Sequence, residues 1–147
     1  MHAIRFRLYV IVTLLLVGMA AVTPRVALAD AVKVVYHLQD GIDQASRGLG
    51  NVRNHLRAEP DTRIVVVALG AGIQFLLEGT PDRNGRPFDE QVAALSRQGV
   101  EFRVCNFTLT AHSVSPERLL PQVKLVPSGV AEIARLQAKE GFVYLRP

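Results

Sequence analysis

The sequence has one cysteine, Cys105, and no tryptophan. A lone cysteine excludes an internal disulfide, so cross-links cannot hold the fold. His37, His55 and His112 lie far apart along the chain, and no cysteine or histidine pair has metal-ligand spacing, so no metal is expected. There is no Gly-Lys-Ser phosphate loop and no G-x-S-x-G elbow around Ser113, Ser115 or Ser128, which argues against P-loop and serine-hydrolase chemistry. Basic residues are scattered rather than striped, and no Trp is present to stack bases. Nucleic acid is therefore not an expected partner.

Acidic residues are missing from the first 29 positions, and this absence has a second meaning. Arg5 and Arg7 precede the apolar stretch Leu8 to Val22, followed by Pro24 and the small-residue pattern Ala27-Leu28-Ala29. That order is the pattern of a secretory signal cleaved after Ala29, and the stretch is short for a membrane span of about 20 residues. Residues 1–29 are thus expected to be a signal peptide and residues 30–147 one periplasmic domain, with membrane contact only through the leader. Of 17 basic residues against 13 acidic, Arg5, Arg7 and Arg25 belong to the leader. The remaining 14 against 13 leave the domain close to neutral.

Beyond the leader, short β-rich runs alternate with stretches of helical period. The strand candidates are Ala31–Gln39, Arg63–Gly70, Val100–Cys105, Val123–Val126 and the closing "GFVYLRP". Between the first two, Ala45, Leu49, Val52 and Leu56 recur at helical intervals. "FDEQVAALSRQG" reads as a second helix, Ser115-Pro116-Glu117 as a short helix start and Ser128 as the cap of a last helix. Strands separated by helices imply βαβ units. The expectation is a three-layer α/β/α domain with a mostly parallel sheet of about five strands.

In such sheets ligands bind beyond the carboxyl ends of the strands. The ends expected there are Leu38-Gln39-Asp40, Leu69-Gly70-Ala71-Gly72, Cys105-Asn106 and Val126-Pro127-Ser128. Cys105 thus falls on the rim, where helix N-termini stabilise thiolates. Free cysteines also serve as small buried hydrophobes, and the sequence leaves both roles open. Gly70 and Gly72 follow a strand, but Phe75 occupies the place of the third glycine of a dinucleotide fingerprint. Gly70, Ala71 and Gly72 are instead expected to pack closely or to line an anion pocket beside Cys105 and Asn106. Gln39, Asp40 and Ser128 are candidate supports. His37 is expected on a sheet face, and His112 in a solvated turn.

"VKVVYHLQDG", "IVVVALGAGIQFLL", "LSRQGVEFRVCNFTL" and "LLPQVKLVPSGVAEIARLQAKEGFVYLRP" together resemble the DsrE/DsrF-like superfamily of sulfur-relay proteins, over Ala31 to Pro147. The resemblance implies a small α/β fold and homo- or hetero-oligomers, often trimers or hexamers. It also implies that a cysteine placed like Cys105 accepts sulfane sulfur as a persulfide and hands it to a thiol-bearing partner protein. No cofactor is implied, because the thiol is itself the reactive group.

The leading expectation is a periplasmic sulfur carrier or sulfurtransferase-like protein. The alternative is a non-catalytic oligomeric module that binds a small anion or a protein, with Cys105 merely packed; a disulfide-linked dimer through Cys105 is a third option. Ile73, Phe75, Leu76 and Leu77 are more apolar than one short helix requires and are expected at a subunit interface. N-terminal sequencing of the exported product should begin at Asp30. A full-length chain retained in the membrane would replace the signal peptide with an anchor.

Overall fold

The computed structural model of the protein describes residues 31–147, and the leader expectation for residues 1–29 lies outside them. Five strands alternate with helices: β1 Lys33–Leu38, α1 Ile42–Ala58, β2 Arg63–Ala68, a 3-10 segment Gly70–Leu76, α2 Phe88–Arg97, β3 Glu101–Cys105, α3 Asn106–Ala111, a 3-10 turn Pro116–Arg118, β4 Val123–Val126, α4 Gly129–Glu140 and β5 Val143–Leu145. The strand order is β4-β3-β2-β1-β5, and every neighbouring pair is parallel. The expected α/β class with a five-stranded parallel sheet is the one found.

Alternation along the strands divides the core in two. Val34, Tyr36 and Leu38 of β1, Ile64, Val66 and Ala68 of β2, and Phe102 and Val104 of β3 face α1, the 3-10 segment and α2. Val35, Val65 and Val67 point the other way and meet Ile133, Leu136 and Phe142, on or just beyond α4. The continuous β-branched run of β2 is thus buried on both sides, as central parallel strands require. The connections β1 to β2 to β3 to β4 carry their helices over one face. Only the return from β4 to β5, through α4, covers the other.

Two local outcomes differ from expectation. Ile73, Phe75, Leu76 and Leu77 are all buried, so they are core rather than interface. The 3-10 segment threads between the sheet and its helices, and Phe75 meets Phe88 and Phe102 edge-on at 5.7 and 6.2 Å between centroids. The run after Cys105 was expected to turn; instead it forms α3, with His112 capping its C-terminal end. Thr108, Thr110 and Phe107 are weak helix formers, so burial of Leu109 in the core explains this helix better than propensity does.

On the α4 face, charge is organised into a chain of pairs. Arg103, buried within β3, donates to Glu132 of α4 and, at 2.7 Å, to Glu101. Glu132 also pairs with Arg135, and Glu101 with Arg63 and Lys124. Burial by itself would raise the Glu101 carboxyl; hydrogen bonds from Arg103, Lys124 and Arg63 overcome it and hold the group at about 2.

Gly72 fits where no side chain can. A Cβ there would lie 2.3 Å from the Leu38 carbonyl oxygen and 2.7 Å from the Gln39 Cα, both backbone atoms. Gly50, inside α1, has nothing closer than the flexible Arg53 guanidinium at 3.8 Å. Gly72→Ala should therefore cost roughly 2–3 kcal/mol in urea unfolding, whereas Gly50→Ala should gain about 0.5–1 kcal/mol from helix propensity. Equal effects at the two positions would show that the rim of the sheet is not held this tightly. Glu101, whose folded value is depressed, should contribute its full stabilisation above the ordinary glutamate range near ~4.3 and lose it as the pH falls towards about 2. Urea melts over that window should fall more steeply for the wild type than for Glu101→Gln; parallel curves would remove Glu101 from the acid response.

Candidate functional site

The two sides of the sheet part company between β3 and β4. Beyond Cys105 the chain turns into α3 on one face, and beyond Val126, the register partner of Cys105, it turns into α4 on the other. Adjacent strand ends whose connections leave in opposite directions open a crevice, where α/β sheets bind ligands. Cys105 stands, buried, at this divergence.

Cys105 is both the last residue of β3 and the N-cap of α3. Its side chain therefore lies beside the start of that helix, near the amide of Thr108 and that of Phe107, which donates to the Pro127 carbonyl at 3.3 Å. From the other face comes the amide of Gly129, first residue of α4. The Thr108 hydroxyl completes the set. Burial pushes the Cys105 thiol up, but the Thr108 hydroxyl and the amides of Gly129, Thr108 and Phe107 outweigh it and hold the thiol below its ordinary value. The side chain is only 6% exposed, so these donors act in a confined space that water screens poorly.

Position 129 admits only glycine without rearrangement. A Cβ would stand 2.9 Å from Leu69 Cδ2 and 3.2 Å from Cys105 Cβ. The bare backbone lets the α4 N-terminus come down onto the thiol. Ser128 sets that approach as N-cap, its Oγ accepting from the Ala131 amide at 3.3 Å. The exposed side chains of Phe107 and Val130 stand one residue beyond Asn106 and Gly129, in the first turns of the two helices.

The other residues singled out from the sequence divide by location. Asn106, half-buried, opens α3 beside Cys105. Gly70, at φ 54°, donates its amide to Thr108 Oγ1 at 3.2 Å, which ties the end of β2 to α3. The Gly72 amide is occupied by the carbonyls of Gln39 and Leu69, at 3.1 and 3.0 Å. Ala71 faces a separate cavity of about 230 Å³, which it shares with Gly70, Gln74 and His112. His112 is exposed at the far end of α3 from Cys105 and forms no pair with it.

Gln39 and Asp40 belong to a different polar centre, at the end of β1. The Asp40 carboxylate takes both contacts from Arg146, at 2.9 and 3.0 Å. The amides of Gln39 and Asp40 donate to Oε1 of the buried Gln44, whose Nε2 donates to the Pro147 carbonyl. His37 lies on the α4 face of β1, with Nδ1 2.8 Å from the Tyr144 hydroxyl. Thr108 and Gly129 were not singled out from the sequence. The signals were present: a hydroxyl three residues beyond a strand-end cysteine, and a glycine directly after a helix-capping serine.

Among the described residues, no cluster of His, Cys, Asp or Glu has the arrangement of a metal site. The end of β3 instead offers one nucleophile, held below its ordinary value by the Thr108 hydroxyl and neighbouring amides. Such an arrangement can attack an electrophilic sulfur and hold negative charge on the product.

Comparison with known proteins follows the same line. No curated protein matches the chain. Among solved structures it is similar to MTH1491 of Methanobacterium thermoautotrophicum, a protein of unknown function, at 34% identity and TM-score 0.70, covering 79% of this chain and 99% of that one. It also shares its fold with the ychN protein of E. coli, at 14% identity and TM-score 0.63, covering 80% and 98% of the two chains. A family model described as the DsrE/DsrF-like family matches residues 26–146, and the chain belongs to that family.

Proposed function

We propose that this protein is an exported sulfur carrier in which Cys105 accepts sulfane sulfur as a persulfide and passes it to a thiol of a partner protein. Membership of the DsrE/DsrF-like family supports a sulfur-relay role. The observation that carries the assignment to this residue is its place at the end of β3 and the head of α3, with the first residue of α4 so close that a Cβ at Gly129 would lie 3.2 Å from the Cys105 Cβ. The polar groups around it hold the thiol below its ordinary value, which a cysteine kept only for packing does not require.

In the first step the Cys105 thiolate attacks a sulfur of a polysulfide. A new Sγ–S bond forms, an S–S bond of the donor breaks, and the shortened polysulfide departs with the electron pair. No outside oxidant enters, because the donor's own S–S bond is reduced. In the second step an acceptor thiolate attacks the outer sulfur, and the Cys105 thiolate leaves. The crevice donors stabilise Cys105 as nucleophile and again as leaving group. Asn106 and the exposed Phe107 and Val130 stand where the donor and acceptor must approach.

The low exposure of Cys105 favours one competing reading, a packed cysteine in an oligomeric module that binds a small anion or a protein. On either reading we propose a periplasmic homo-oligomer, a trimer or hexamer, with leader removal after Ala29. The exposed apolar side chains Phe107, Leu125, Val130, Val143, Tyr144 and Leu145 supply contact surface in place of the buried Ile73 to Leu77 run. Intact-protein mass spectrometry after treatment of the reduced protein with inorganic polysulfide should show the mass of one added sulfur, removable by dithiothreitol and absent from Cys105→Ser. An unlabelled wild type, together with a Cys105→Ser variant destabilised by about 1–3 kcal/mol through an unpaired buried hydroxyl, would establish the packed cysteine instead.

A further inference from the structure

We propose that His37 and Tyr144 form an acid-sensitive latch that holds β5 onto the sheet, closed while the imidazole is neutral and released when it gains a proton. The inference is independent of the reading of Cys105. His37 Nδ1 lies 2.8 Å from the Tyr144 hydroxyl, so a side-chain hydrogen bond joins β1 to β5, whose backbone pairing runs only from Val34↔Val143 to Tyr36↔Leu145. Nε2 of the same ring is shut off from solvent and has no hydrogen-bond partner among the described residues. A neutral imidazole has one N–H and one lone pair, whereas the imidazolium has two N–H donors. The neutral ring can therefore pair Nδ1 with Tyr144 and leave only a lone pair at Nε2. The charged ring would place an N–H and a positive charge where nothing accepts them, and a buried unpaired donor is costly.

The surroundings do not compensate that charge. Burial, foremost, and the Arg146 guanidinium hold the His37 ring below its ordinary value, against smaller contributions from the Asp40 carboxylate and the Gln39 side chain. Asp40 is itself engaged by Arg146, and Gln39 makes no hydrogen bond with the ring. On this face β2 and α4 present the apolar Val67, Leu69, Ile133 and Leu136. The charges of α4 are directed elsewhere: Glu132 to Arg103 and Arg135, Glu140 to Arg135 and Arg63, and Lys139 to solvent. Arg63, the one charge of β2, also pairs with Glu101. β5 is the element that yields, because it has three residues, all exposed, at the edge of the sheet, whereas β1 is paired on both sides. Local opening begins at such elements, and release of β5 leaves the outer edge of β1 free to pair with another strand.

The folded value is depressed, so the latch contributes fully above the ordinary histidine value of about 6.5 and loses that contribution as the pH falls from there through the folded value. Nuclear magnetic resonance of the labelled protein, from about pH 8 to about pH 5, brackets that window. The His37 ring should titrate with a midpoint below ~6.5, and the amides of Val143, Tyr144 and Leu145 should shift or broaden along the same curve while those of β2 stay in place. In His37→Gln, neutral at every pH, the response of β5 should be lost, whatever changes accompany His55 and His112. A His37 ring that titrates with β5 silent would overturn the latch, as would a ring that does not titrate in this range or a β5 response that persists in His37→Gln. If the glutamine variant does not fold, the wild-type curves decide alone, because the β5 amides either follow the His37 ring or do not.

Discussion

The buried ion pair between Arg103 and Glu132 is the constraint on which the working end of this domain depends. Arg103 projects from β3 onto the face that α4 alone covers, and an unpaired guanidinium there would be severely unfavourable. Its partner Glu132 lies one turn inside α4, so satisfying the arginine fixes where the helix sits along the sheet. Leu136 and Ile133 supply the burial that holds α4 down; the pair supplies the register. Two residues beyond Arg103 is Cys105, and three residues before Glu132 is Gly129. The meeting of the thiol with the Gly129 amide is therefore a geometrical result of an ion pair one turn away.

The same construction explains why activation and concealment come together at Cys105. Donors reach the thiol because two helix N-termini close on it from opposite faces, and that closure leaves the side chain little exposure. The rim also holds a second polar centre, around Gln44, which ties the end of β1 to the segment after β5. It keeps Asp40 engaged with Arg146, away from the cysteine. The two centres divide the rim between anchoring and chemistry.

Much of this was legible in residue order. The period of Ala45, Leu49, Val52 and Leu56, the β-branched run in β2 and the Ser128 cap describe their elements well, and the placement of Cys105 at a strand end follows from them. The order of strands in the sheet does not. Without it, nothing indicates that β3 and β4 are neighbours whose connections diverge, so Gly129 cannot be brought to Cys105. The short helix after Cys105 was missed because its Thr and Phe residues disfavour a helix that tertiary burial of Leu109 imposes. The run Ile73 to Leu77 misled for a related reason. Local sequence shows how apolar a segment is, and only the assembled layers show which apolar surface is already covered.

The position of β5 has a consequence for when this fold comes into being. β1 is an interior strand only because β5 pairs along its outer edge, from Val34↔Val143 to Tyr36↔Leu145. The first and last of the described strands are thus obligatory neighbours, and such distant pairings pay their loop-closure entropy before they return any contact energy. Until the final strand is available, β1 keeps an open edge and Gln44 lacks the Pro147 carbonyl. The described sheet is consequently complete only once β5 is available to pair with β1.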